Sequence, residues 1–206
     1  TFASAIDLTV SPIGLPLQEL NVFAAVPRGV TGTIDGRINL SGNSATPVLS
    51  TELEWKDGAL GEVGIDDARF LLIPVDESYT LDGDMRFSTG GSLLLDGHIP
   101  FAVHLESEDE IDLARPGFGV RLTGKDVPLK AIEGLADGIT EAEGVLSLDG
   151  GLSGTLEAPV PTLDLGIRNG RMAVRETRLV YSDLAMDASF TQGSLKLEKL
   201  KVRADP

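Results

Sequence analysis

The sequence predicts an all-β protein laid out as a long antiparallel meander. Three observations predict it. Apolar and polar residues alternate with a period of two over much of the chain. Glycine-containing turn dipeptides separate the alternating runs, and only two short stretches have helical spacing. A period of two gives a strand one apolar and one polar face, and short connections join antiparallel neighbours.

In chain order, Ile34, Ile38 and Leu40 share one face of the first clear strand. Leu49, Thr51, Leu53 and Trp55 alternate with Ser50, Glu52, Glu54 and Lys56. Leu163, Leu165 and Ile167 alternate with Asp164, Gly166 and Arg168, and Met186, Ala188, Phe190, then Leu195 and Leu197, follow the same rule. Asp57-Gly58, Asp82-Gly83, Asp96-Gly97, Asn169-Gly170 and Gln192-Gly193 read as hairpin turns between strands. Gly150-Gly151 reads as a bend that helps the sheet curl. Two stretches break the alternation: Leu17, Leu20 and Phe23, and Leu129, Ile132 and Leu135, are spaced by three. Each predicts a short amphipathic helix with a proline in its first turn, and Asp126 stands ready to cap the second.

The two helical stretches lie 112 residues apart, and the likeness extends beyond them. Residues 16–58 set against 128–170 give eleven identities in 43 positions, including Pro16/Pro128, Gly32/Gly144, Leu40-Ser41-Gly42/Leu152-Ser153-Gly154 and Gly58/Gly170; composition predicts roughly 3 by chance. Ile6, Leu8, Val10 and Leu15 match Phe118, Val120, Leu122 and Val127 in type. The chain therefore divides into the end of one module (1–15), a complete module (16–127) and part of a further one (128–206). At about 4.8 Å between strands, six or seven strands advance each module by roughly 30 Å along one axis.

Composition excludes several function classes. A net charge of -15 argues against nucleic acid and against anionic headgroups, both of which select basic surfaces. The absence of cysteine removes disulfides, thiolate nucleophiles and cysteine-zinc sites. No apolar run approaches the roughly 20 residues of a membrane helix, and the opening residues do not read as a signal peptide. A start at Thr1 already close to a strand, and an end just past another at Val202, suggest a piece of a longer protein.

The phrase from Gly32 to Gly58, G-T-I-D-G-R-I-N-L-S-G-N-S-A-T-P-V-L-S-T-E-L-E-W-K-D-G, recurs from Gly144 to Gly170 as G-V-L-S-L-D-G-G-L-S-G-T-L-E-A-P-V-P-T-L-D-L-G-I-R-N-G. It resembles the repeated phrase of the TamB/AsmA-like family, as does the expected short helix opening with Pro-Leu just before it. The resemblance implies a curled, open sheet (a β-taco) with an apolar interior, crossing the periplasm from an inner-membrane anchor that these residues lack. It implies phospholipid transport toward the outer membrane, and partnership with a TamA-type outer-membrane barrel in outer-membrane protein assembly.

Reaction chemistry is hard to place. His98 and His104 stand six residues apart without further ligands at workable spacing, and Glu106–Asp112 lacks the glycine and terminal glutamate of a calcium loop. Asp66-Asp67 and Asp82/Asp84 are carboxylate pairs of a kind that 32 acidic residues guarantee. No nucleophile elbow, phosphate loop or dinucleotide fingerprint occurs. The expectation is a protein that is not an enzyme and holds no metal or cofactor.

The apolar stripe is left as the functional candidate. Its residues alone allow either a closed sandwich core or an open groove; the resemblance favours the groove. The expected lining is Ile34, Ile38, Leu40, Leu49, Leu53, Trp55, Leu146, Leu148, Leu152, Leu163, Leu165 and Ile167. Such a groove would shelter phospholipid acyl chains at about 0.8 kcal/mol per buried CH₂. A different function, binding a β-strand of an outer-membrane protein at an open sheet edge, fits the same architecture.

Overall fold

The computed structural model describes residues 4–22, 29–44, 46–100, 117–134, 138–155, 157–175 and 179–205. Twelve strands form one antiparallel sheet: β1 (Ala5–Val10), β2 (Leu15–Pro16), β3 (Val30–Asn43), β4 (Pro47–Leu60), β5 (Val63–Val75), β6 (Ser78–Phe87), β7 (Ser92–Ile99), β8 (Phe118–Pro128), β9 (Ile139–Gly154), β10 (Pro159–Val174), β11 (Leu179–Thr191) and β12 (Ser194–Asp205). Strands neighbour each other in chain order from β3 to β12, with β1 and β2 both paired to β3. The outermost strands, β1 and β12, do not pair with each other, so the sheet is open and not a barrel.

The repeat seen in the sequence is also a repeat of backbone geometry. Leu15 pairs with Ile34 as Val127 pairs with Leu146, and Val10 with Ile38 as Leu122 with Gly150, each pair shifted by the same 112 residues. β1 and β2 together are thus the counterpart of β8. The left-handed positions recur at the same interval: Gly14/Asp126, Gly32/Gly144, Gly42/Gly154 and Asp57/Asn169. At Gly144 both the φ of 107° and the space demand glycine. A Cβ there would stand 2.6 Å from the Asn169 carbonyl oxygen.

Four of the five expected hairpin dipeptides lie inside strands instead. Asp57-Gly58 and Asn169-Gly170 are bulges within β4 and β10, their Asp57 and Asn169 taking φ of 49° and 52°. Asp82-Gly83 and Asp96-Gly97 are paired residues of β6 and β7; only Gln192-Gly193 turns between strands, β11 to β12. The same local preference for left-handed backbone serves a bulge as well as a turn, so the strands run longer than the dipeptides suggest. Gly150-Gly151 is likewise continuous β9 ladder, not a bend between strands. The two stretches of helical spacing form six-residue 3-10 turns, Leu17–Val22 and Leu129–Gly134. Asp126 does not cap the second: it sits in β8 at φ 49°, as part of a bulge.

These bulges align. Register shifts fall at Thr31/Thr33 between β3 and β4, Ile65/Asp67 between β5 and β6, Gly124/Val127 between β8 and β9, Arg168/Arg171 between β9 and β10, and Ser182/Ala185 between β11 and β12, while a further shift at Asp187/Ala188 lies off this line. Each bulge bends its strand and adds twist, so a row of them creases the whole sheet along one line. The hydrophobic core gathers at that crease. Leu60, Val63, Phe87, Val127, Leu129, Ala142, Leu146 and Ile167 form one cluster, with Trp55, Met85, Leu93 and Leu148 packed against it. The second 3-10 turn touches β4 as well as β8 and β9. Lys130 within it pairs with Glu62 of the β4–β5 hairpin at 2.6 Å, so the turn plugs the crease from strand to strand.

A candidate apolar groove

Cross-strand register carries one apolar row across ten strands: Ile34, Trp55, Ala68, Met85, Leu93, Gly124, Leu148, Leu165, Ala188 and Leu197. A parallel row runs Leu53, Phe70, Gly83, Leu95, Leu122, Gly150, Leu163, Phe190 and Leu195. All twelve residues expected from the sequence lie on this one face, because the two-residue period survives each paired step. Their surroundings differ. Leu146 and Ile167 are buried in the crease cluster, Leu152 and Leu163 are each 37% exposed, and the other eight are half-buried.

The face hollows into a cavity of about 290 Å³ lined by Ile34, Leu53, Trp55, Phe70, Met85 and Leu122, among others. Trp55 fixes the crease end of it. Its indole N–H donates to the Thr31 carbonyl oxygen at 2.9 Å, and its ring lies over Gly58, where a Cβ would come within 2.7 Å of the ring. In the second copy Ile167 takes that place over Gly170, with 3.0 Å left for a Cβ. Phe70, Met85, Leu93, Leu95 and Leu122 belong to the same face but are missed by sequence reasoning. The runs Phe70-Leu71-Leu72-Ile73 and Leu93-Leu94-Leu95 are apolar on both faces, so no alternation marks which side is in. Leu94 and Ile73 in fact sit exposed on the far face. Thr51 is an odd member of the floor: its hydroxyl is shielded and has no hydrogen-bond partner among the described residues.

The opposite face is a charge ladder. Lys56 pairs with Asp35 at 2.9 Å, Arg86 with Asp67 at 2.6 Å and Arg203 with Asp183 at 3.1 Å, each linking neighbouring strands. Arg121 holds Asp149 through two nitrogens, and this fork keeps the Asp149 carboxyl below the usual carboxylate range. The Asp35 carboxyl is also lowered, first by the Gly14 backbone N–H and then by Lys56. A larger depression of about 740 Å³ lies on this face among Asp82, Asp96, His98, Arg121 and Asp149. No three histidine or carboxylate groups converge to hold a metal among the described residues. Asp67 of the Asp66-Asp67 pair is taken up by Arg86, and Asp82 and Asp84 lie on the ladder face. His98 is exposed on β7; His104 and the acidic run Glu106–Asp112 lie outside the described residues. No helix among the described residues is long and apolar enough to cross a membrane.

No family model matches the chain, and neither the curated proteins nor the solved structures contain a match to it.

Proposed function

We propose that the chain is a segment of a periplasmic bridge of the TamB/AsmA-like kind, and that its groove passively carries phospholipid acyl chains between the inner and outer membranes. The observation that carries this reading is an apolar face continuous over ten strands, hollowed and partly uncovered, in a protein whose other face carries cross-strand ion pairs. A face with no polar specificity holds a chain by excluding water, and lets it slide because every row offers the same contact. The mechanism needs no reacting group: tails lie along the floor while headgroups remain in water beyond the lip. The full-length protein on this reading is anchored in the inner membrane by a helix outside these residues and hands lipid to outer-membrane biogenesis.

The test is purification of the chain from a bacterial host followed by native mass spectrometry and lipid extraction. The reading expects co-purified phospholipid at defined stoichiometry, lost in Leu53→Asp and in Leu165→Asp, with a cooperative melt kept and Glu54→Lys silent. Lipid-free wild-type protein with a cooperative melt would contradict it.

A further inference from the structure

We propose that the groove takes phospholipids whose headgroup carries an ammonium and turns away those of net negative charge, an inference that rests on the groove reading above. The charges of the sheet are sorted along its strands. Arg37 and Arg121 lie in one cross-strand row, Arg37, Glu52, Leu71, Asp82, Asp96 and Arg121. The ion pairs Lys56–Asp35, Arg86–Asp67 and Arg203–Asp183 all lie on its crease side. Between that row and the lip the described residues hold no lysine or arginine, and His98 is the one side chain there able to take positive charge. The same region holds four carboxylates, Asp7, Asp76, Glu77 and Glu157, all exposed.

The lip is shaped as well as charged. At the turn between β5 and β6 a cavity of about 240 Å³ opens among Pro47, Pro74, Asp76, Glu77 and Tyr79. Tyr79 is 6% exposed, and its hydroxyl accepts from the Leu49 N–H at 3.4 Å. Pro74 pairs with Tyr79, Leu72 with Leu81 and Phe70 with Gly83, so one face leads from the apolar cavity at Phe70 up to this turn. Asp76 stands six residues beyond Phe70, about 20 Å at roughly 3.3 Å per residue. One leaflet of a bilayer holds about 15 Å of hydrocarbon, half of a core of about 30 Å. A tail whose head sits at the turn therefore runs past Leu81 and Leu72 toward the cavity. The head then meets Asp76 and Glu77. An ammonium carried outside the phosphate is drawn to these carboxylates, whereas a headgroup whose only charge is its phosphate is repelled, with no lysine or arginine at hand to offset the repulsion. In the second copy β11 and β12 follow β10 as β5 and β6 follow β4. Their turn, Gln192-Gly193, is uncharged, so the ammonium site belongs to the first copy.

The probes are two single-chain phospholipids with the same acyl chain, each kept below its micelle concentration. One is ethanolamine-headed and zwitterionic, the other glycerol-headed and anionic. Binding to the whole chain is read by titration calorimetry at low and high salt, and located by amide chemical shifts. The ethanolamine lipid should bind about tenfold tighter at low salt, with the ratio shrinking as salt is added. It should shift the amides of Asp76, Glu77 and Tyr79 and leave those of Gln192 and Gly193 unmoved. Asp76→Asn/Glu77→Gln should bring the two affinities together at an unchanged melting temperature, since asparagine tolerates the φ of 53° at position 76. Equal binding of both lipids by the wild-type chain, or a preference that survives Asp76→Asn/Glu77→Gln, would overturn the proposal and leave the groove reading standing. So would phosphoethanolamine binding as tightly without a tail, which would assign the turn to a soluble amine. Binding of neither lipid would overturn the groove reading and this inference with it.

Discussion

The crease and the lip of this sheet are built from the same strands and the same alternating pattern, yet they are in different physical states. At the crease, Phe87 and Leu129 are 2% and 1% exposed, Leu129 being carried into the cluster by the second 3-10 turn. Toward the lip, Leu152, Leu163 and Leu195 keep much of their surface in water although they lie on the same face. Bulges contribute to the difference: where strands bend together the apolar face packs on itself, whereas toward the lip burial is confined to single residues such as Pro47 and Tyr79. Stability is therefore concentrated on one side of the sheet, and surface able to receive an apolar ligand on the other.

The sharpest way to break this comparison is truncation on each side. Phe87→Ala or Leu129→Ala should cost about 3–4 kcal/mol in urea denaturation, through lost burial and a cavity that packed neighbours cannot fill. Leu163→Ala should cost less than about 1 kcal/mol, because its side chain already meets solvent. Equal losses would mean that the lip is as closed as the crease. A smaller effect sharpens the role of the bulges. Gly144→Ala, strained in backbone and blocked by the Asn169 carbonyl, should cost about 1–3 kcal/mol, while Gly90→Ala, which has nothing within 4 Å, pays only for its left-handed φ. The smallest effect belongs to the charged face. Asp35 and Asp149 are lowered in the folded protein, so their contribution is fully present above the unfolded value of about 3.9 and is lost as pH falls through the folded one. Melting temperature should be flat from pH 7 to 5 and fall below pH 4, with added salt reducing the drop.

The fold class, the antiparallel order and the apolar face were legible in the sequence because alternation is local and the repeat at 112 residues reinforces it. The extent of the strands was not legible. Asp57-Gly58 and Asn169-Gly170 carry the same chemistry whether they turn the chain or bulge it, and only pairing to a neighbour decides between the two. The 3-10 form of Leu129–Gly134 depends on the crease that it plugs, which no window around those residues reveals. The groove was half visible: its β3, β4, β9 and β10 walls alternate cleanly, whereas β5 and β7 are apolar on both faces and hid Phe70 and Leu95. Which lining residues are packed away, as Leu146 and Ile167 are, depended on where the bulges align.

The central claim is that the lip, and not the crease, is open to an acyl chain. The direct measurement is a titration of methyl-labelled protein with a single-chain phospholipid kept below its micelle concentration. The account predicts saturable shifts at the methyls of Leu53, Leu122, Leu152 and Leu163, with those of Leu129 and Leu146 unmoved. Silent lip methyls, or shifts at Leu129 and Leu146 accompanied by loss of the cooperative melt, would contradict it.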